Sequence, residues 1–287
     1  MQSSAGMGAG GAGGRFGSQG AADPERGTAV PAPRSGTWHR ANRWAALGTA
    51  GLSTTTGAVN AGIAAAPMSA GQAGFGPLPD TVVALDGFGP NEDPVQLHEA
   101  EEELLRQLPA ARRADFVAGR RAAARAMAAL GHTGPVLRED RRPLFPPGAR
   151  GSISHCAGHI AASIASTHPT VAATGIDLER ADRLTWGTAT LICTPREVRW
   201  VAAARRRESR LSVVFSTKEA VYKALCALPS PRQPTFHDAE LHIAGNRIGI
   251  CVTDDLLPKG HRIFGWLELL RGSHIVTCVA IVDDLHS

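Results

Sequence analysis

The sequence predicts a mixed α/β (α+β) fold in which mainly antiparallel strands accompany a few well-marked helices. Three features lead there: an Ala- and Arg-rich helical stretch that stops at Gly131, a second helical stretch after Phe215, and short apolar runs with strand-like alternation from residue 151 onward. With 287 residues, 43% of them hydrophobic, the chain can bury one large core or two smaller ones.

Residues 1–77 stand apart from this pattern. They are rich in Gly, Ala, Ser and Pro and poor in large apolar side chains, so burial cannot offset the entropy of ordering, and a disordered tail is expected. The charge-free stretch from Ala45 to Pro79 is broken by Gly, Thr, Ser and Asn and predicts no membrane span. It also lacks the compact apolar core of a secretory signal and lies far from Met1. Met68, just ahead of the expected ordered region, is an alternative start of translation.

Order is expected from Leu78. Thr81–Leu85 reads as a short strand, and Leu97–Leu108 as a helix whose early glutamates suit the positive end of the helix dipole. A second helix over Ala110–Leu130 puts Phe116, Ala123, Met127 and Leu130 on one face and ends at Gly131. Arg112 and Arg120, eight residues apart, project from neighbouring sides of it. After the turn Pro143–Gly148, Gly151–Cys156 and Ile160–Ser166 read as a hairpin joined by Ala-Gly-His, and Val171–Leu178 as a further strand. Thr194-Pro195-Arg196-Glu197 opens a helix with an N-cap, a first-turn proline and a capping-box Glu. Ser216–Leu228 is the last predicted helix, begun by a second capping box, Ser216-Thr217-Lys218-Glu219. Beyond it, Leu241–Ile243, Ile248–Val252 and Ile275–Val282 alternate as strands. A boundary near residues 170–180 divides the ordered chain into an N-terminal lobe, 78–170, and a C-terminal lobe, 171–287.

The net charge of +4 is too modest to mark a nucleic-acid binder, yet residues 106–150 hold ten arginines against Asp115, Glu139 and Asp140. That segment calls for an anion. Five cysteines, odd in number and without a C-x-x-C pair, argue against a disulfide framework and a structural zinc site, and fit a reducing cytoplasm. Lys218, Lys223 and Lys259 are the only lysines among thirty basic residues, and two of them flank Tyr222, the only tyrosine.

Asp177 and Glu179 stand two apart on a predicted strand, so both carboxylates share one face. Such a pair suits Mg²⁺, which takes one or two carboxylates and leaves positions for water and phosphate. The alternative is a solvated strand end neutralised by Arg180 or Arg183. Glu219 and Lys223, one helical turn apart, suit phosphoryl transfer, while a helix cap and an i, i+4 pair would equally explain them. Gly151-Ser-Ile-Ser154-His155 offers backbone amides, hydroxyls and an imidazole to a phosphate, or a structural histidine at a strand end. A serine hydrolase fits poorly, because no G-x-S-x-G elbow is present and adjacent strand residues point to opposite faces.

In order, Arg112-Arg-Ala-Asp-Phe-Val-Ala-Gly-Arg120, Pro143-Leu-Phe-Pro-Pro-Gly148, Gly151-Ser-Ile-Ser-His-Cys156, Gly175-Ile-Asp-Leu-Glu179 and Phe215-Ser-Thr-Lys-Glu-Ala-Val-Tyr-Lys223 resemble the 4'-phosphopantetheinyl transferase superfamily, in the branch typified by enterobactin synthase component D. The likeness covers roughly residues 78–283, and its last two motifs are the most specific. It implies two similar α/β lobes related by a pseudo-twofold axis, with coenzyme A between them and Mg²⁺ as cofactor. The implied reaction moves 4'-phosphopantetheine to a serine of an acyl or peptidyl carrier protein. By the same resemblance Asp177, Glu179 and Glu219 are the metal ligands, Glu219 and Lys223 the catalytic pair, with Glu219 or a metal-bound water as the base, and Lys223 also a contact to coenzyme A. Arg112, Arg120 and Arg141 are implied nucleotide or phosphate contacts, and Ser154 and His155 line the phosphates. Phe145 and His159 stand where relatives carry Trp and Tyr, which bears on substrate preference. The arginines Arg196, Arg199, Arg205–Arg207 and Arg210 either dock an acidic carrier helix or form a solvated face. A monomer with no nucleic-acid or membrane partner is expected, and the alternatives are a coenzyme A sensor or another Mg²⁺-dependent nucleotide-diphosphate transferase or hydrolase.

Overall fold

The computed structural model describes residues 78–88, 95–140, 142–270 and 274–284, with the backbone of Gly74–Phe75. The tail expected to be disordered, apart from Gly74–Phe75, and the alternative start at Met68 therefore lie outside the described residues, as does Arg141. Gly74–Phe75 nevertheless pairs as a strand with Val82 and Val83, so ordered backbone begins ahead of Leu78.

Along the chain run β1 (Gly74–Phe75), β2 (Thr81–Asp86), α1 (Glu99–Arg106), α2 (Ala110–Ala129), β3 (Leu137–Glu139), β4 (Arg142–Leu144), β5 (Arg150–Cys156), β6 (Ile160–Ser166) and β7 (Val171–Arg180). Then follow α3 (Ala189–Ile192), α4 (Pro195–Ala202), α5 (Arg207–Cys226), β8 (Ala239–Ala244), β9 (Arg247–Val252), β10 (His261–Leu270) and β11 (His274–Asp283). One antiparallel sheet has the order β1-β2-β6-β5, the other β7-β11-β10-β9-β8, and β3 with β4 makes a separate ribbon.

Alternation on the strands explains how these layers stack. On β2, Val82 and Ala84 turn to α2, where Ala123, Ala126 and Met127 pack. Val83 and Leu85 turn the other way and meet Ile176, Leu178, Cys278 and Ala280 of the second sheet. That sheet takes α5 on its far face through Ala173, Val279 and Ile281 against Leu211, Val214, Val221 and Leu225. Truncating a fully buried side chain here, Ile176 or Leu225 for example, costs about 2–5 kcal/mol. Among the described residues no helix is long and apolar enough to cross a membrane.

Two expectations need correction. Helix α5 begins at Arg207, so Ser216-Thr-Lys-Glu219 lies in mid-helix and caps nothing. Ser216 Oγ donates to Thr277 Oγ1 (3.1 Å) and Thr217 Oγ1 donates back to the Val213 carbonyl (2.8 Å), so both hydroxyls are satisfied inside the core. The preceding turns hold because Leu211 and Val214 are buried on the sheet. Strand β10 was not anticipated, although it pairs with β11 over its whole length. The other capping box is as read: Thr194 Oγ1 accepts from the Glu197 amide and Glu197 Oε2 from the Thr194 amide (2.7 Å).

Candidate active site

Helix α5 lies unusually close to β7. A Cβ built on Gly175 would stand 1.9 Å from the Ala220 carbonyl oxygen and 2.9 Å from the Ala224 amide nitrogen, so only glycine admits this approach. Lys223 is thereby brought over Asp177. Its Nζ donates to Asp177 Oδ1 (2.8 Å), to the Ile176 carbonyl (2.9 Å) and to Ser154 Oγ (3.0 Å), and Ser154 Oγ in turn donates to Asp177 Oδ1 (2.9 Å). Three elements, β5, β7 and α5, thus converge on one buried carboxylate. Its second oxygen, Oδ2, is buried with no hydrogen-bond partner. A carboxylate oxygen left so is costly in a low-dielectric setting and marks a place for a cation or donor.

Glu179 follows on the same face of β7, and Arg183 Nη1 donates to both its oxygens (2.8 and 2.9 Å). Arg183 itself is largely exposed, so this pair holds weakly and can open. Burial raises the Glu179 carboxyl above the ordinary carboxylate value, the Arg183 bonds pull it back, and the Asp177 charge raises it again. Glu219 is also raised, first by burial, with Lys223 opposing and Asp177 and Glu179 adding. Glu219 thus feels the charge of both Asp177 and Glu179, and Glu179 that of Asp177.

Among the described residues no three His, Cys, Asp or Glu side chains stand as a preassembled metal cluster. Arg183 occupies Glu179, and Lys223 occupies one oxygen of Asp177. The donor set still fits a hard divalent cation: the oxygens are all carboxylate, one is unpartnered and buried, and their mutual repulsion is what such an ion relieves.

His155 turns away from Ser154 toward α2. Its Nδ1 lies 3.8 Å from Asp115 Oδ2, while Asp115 Oδ1 is 2.9 Å from Nδ1 of His159. Burial holds the His155 imidazole below the ordinary histidine value, Asp115 opposes this, and Arg112 and Lys223 reinforce it. Arg112 is exposed beside this group.

Arg120 departs from expectation. It is 6% exposed, donates from Nη2 to the Leu137 carbonyl (3.1 Å), lies 3.9 Å from Glu101 and stacks over Phe116 at 4.4 Å. Burial lowers its guanidinium to about 10. Arg112 and Arg120 therefore do not form a joint exposed grip here. Beside Phe116 lies a recess of about 260 Å³ lined by Leu104, Gln107, Leu108, Arg138 and Asp140.

The two lysines of the last motif also separate, as a spacing of five residues, about 140° around a helix, requires. Lys218 is buried on the far side, donating to Glu197 Oε2 (2.7 Å), the Phe236 carbonyl (2.7 Å) and the Ala239 carbonyl (2.8 Å). It joins helices to sheet and does not face the acidic cluster. Sequence reasoning missed Asp115, taken there only as a counter-charge among arginines; its three-residue spacing from Arg112 on one helix face was the available signal.

Residues 100–165 match the 4'-phosphopantetheinyl transferase N-terminal domain, and residues 173–262 match the 4'-phosphopantetheinyl transferase superfamily. The chain is 35% identical to 4'-phosphopantetheinyl transferase Svp of Streptomyces mobaraensis over 202 residues, covering 66% of this chain and 81% of that one. It is 33% identical to 4'-phosphopantetheinyl transferase Npt of Nocardia iowensis over 132 residues, covering 45% and 59%. Enterobactin synthase component D of Salmonella typhimurium is 36% identical over 128 residues, covering 42% and 52%. The chain thus matches between about half and four fifths of the length of these relatives.

Proposed function

The chain belongs to the 4'-phosphopantetheinyl transferase superfamily, and from that premise we propose that it transfers the 4'-phosphopantetheine moiety of coenzyme A to a serine of an apo acyl or peptidyl carrier protein, releasing 3',5'-ADP. The observation that carries this reading is the convergence of Ser154 and Lys223 on the buried carboxylate of Asp177, whose second oxygen has no hydrogen-bond partner, with Glu179 on the same face of β7.

Asp177, Glu179 and Glu219 would hold Mg²⁺, which when bound supplies positive charge to the pyrophosphate. The chain's own residues do the rest. Lys223 places its positive charge beside the phosphates, its N–H groups being shared among Asp177, the Ile176 carbonyl and Ser154, and Arg112 and His155 at the rim offer donors to phosphate oxygens. Glu219, or a water held at the metal, accepts the proton of the carrier serine. The serine oxygen then bonds to the β-phosphorus, and the bond from that phosphorus to the bridging oxygen breaks, leaving with 3',5'-ADP. Most of the rate comes from alignment and charge placement.

The test is release of 3',5'-ADP from coenzyme A and Mg²⁺, with and without an apo carrier domain. The nucleotide should appear only when carrier is present. Release at the same rate without carrier would make the protein a hydrolase and overturn the reading.

A further inference from the structure

Asp115 is an acid in the wrong place for a site that takes phosphate. It lies on α2 one turn after Arg112, within the arginine-rich segment, and its side chain is 21% exposed. Two imidazoles bracket it: His159 Nδ1 at hydrogen-bond distance from Oδ1 and His155 Nδ1 at 3.8 Å from Oδ2. His159 reaches it from the tip of the β5–β6 hairpin with φ of +59°, a left-handed conformation uncommon for a residue other than glycine. The hairpin tip places His159 against the carboxylate, while His155 presents its ring from β5 on the side turned away from Ser154.

We propose that Asp115 is a positioning residue for the donor phosphate: anchored by His159, it stands within ion-pair range of His155 Nδ1 and draws the protonated ring toward itself, so that the other nitrogen, Nε2, meets the phosphate. This rests on the transferase reading of His155 as a phosphate contact. A neutral imidazole with its proton on Nδ1 presents a lone pair at Nε2, which repels phosphate; the doubly protonated ring donates from both nitrogens. A carboxylate on one side favours that form as phosphate arrives on the other, where burial alone would oppose it. The charged groups facing His155 are Asp115 and Arg112 from α2, Lys223 from α5 and Asp177 from β7. Of these, Asp115 alone lies within ion-pair range of Nδ1 among the described residues.

The experiment compares Asp115→Asn, Asp115→Glu and His159→Gln with the wild-type protein, by steady-state transfer kinetics, calorimetric coenzyme A binding and imidazole NMR of His155. Asp115→Asn should raise the coenzyme A KM about tenfold, leave kcat and the carrier KM within about twofold, and lower the pH at which His155 titrates. Asp115→Glu should restore part of the affinity, and His159→Gln, a change at an exposed hairpin tip, should weaken coenzyme A binding to a smaller degree. An unchanged coenzyme A affinity in both Asp115→Asn and His159→Gln, with His155 titrating as in the wild type, would overturn the proposal. If the wild-type protein loads no carrier, the transferase reading fails separately, and the calorimetric comparison still decides the role of Asp115.

Discussion

Lys223 Nζ and Asp177 Oδ1 meet at 2.8 Å although 46 residues separate them in the chain. The contact exists because α5 rests on the backbone of β7 at Gly175, so seating of the helix and placement of the charged groups are one event.

Gly175→Ala should therefore damage structure and activity together. The new methyl meets the Ala220 carbonyl, a backbone atom that cannot rotate away, and α5 must lift. Overpacking of this kind costs about 1–3 kcal/mol and more where backbone resists. Thermal melting should fall accordingly, and transfer should fall further than the loss of folded protein explains, because Glu219 and Lys223 ride on the displaced helix. Full activity with an unchanged melting temperature would contradict the close approach.

Lys218→Met tests the other lysine. It leaves Glu197 buried without its cation, and breaking such a pair costs about 3–5 kcal/mol. Adding Glu197→Gln should recover part of that loss, although Glu197 also accepts from the Leu241 and Thr194 amides. Coenzyme A affinity of the folded fraction should stay at the wild-type level, which denaturant melts and calorimetry can separate.

Much of this architecture was legible in the chain. The hairpin of β5 and β6, the capped start of α4 and the shared face of Asp177 and Glu179 all follow from local rules that the structure obeys. The start of α5 was misread because Ser216 and Thr217 imitate a cap, and only the tertiary contact to Thr277 tells a buried mid-helix hydroxyl from a capping one. Likewise Lys218 and Lys223 look alike in sequence; which one meets an acid of the site depends on the side of α5 that β7 covers. The confinement of Arg120 behind Glu101 and Phe116 is a packing outcome that spacing along α2 cannot express.

A pH effect is expected at Asp238. Burial works to raise its carboxyl, but the bonds from Arg232 and Thr235 outweigh it and take it to about 2. A carboxyl lowered from 3.8 stabilises the fold above that value, and the contribution is lost as pH falls toward about 2. Asp238→Asn should thus lower the melting temperature at neutral pH, with the gap to wild type narrowing below about pH 4. Because the short helical turn Phe236–Asp238 supplies a carbonyl to Lys218, a gap that stayed constant with pH would mean that packing, and not charge, is what Asp238 provides.

Mg²⁺ should raise the melting temperature of the wild-type protein by about 3–8 °C at saturating concentration, since an ion that binds only the folded state stabilises it. The same titration on Asp177→Asn should give little shift, and chelator should reverse the wild-type gain. Equal shifts in both proteins would place the ion elsewhere.

The most direct measurement is intact-mass analysis of an apo carrier domain after incubation with coenzyme A and Mg²⁺, run with wild-type protein and with folded Asp177→Asn side by side. The wild type should add one phosphopantetheine arm to the carrier serine, and Asp177→Asn should lose about 10²-fold or more of that rate. A carrier whose mass never changes with the wild type, or one loaded equally fast by Asp177→Asn, would contradict the account.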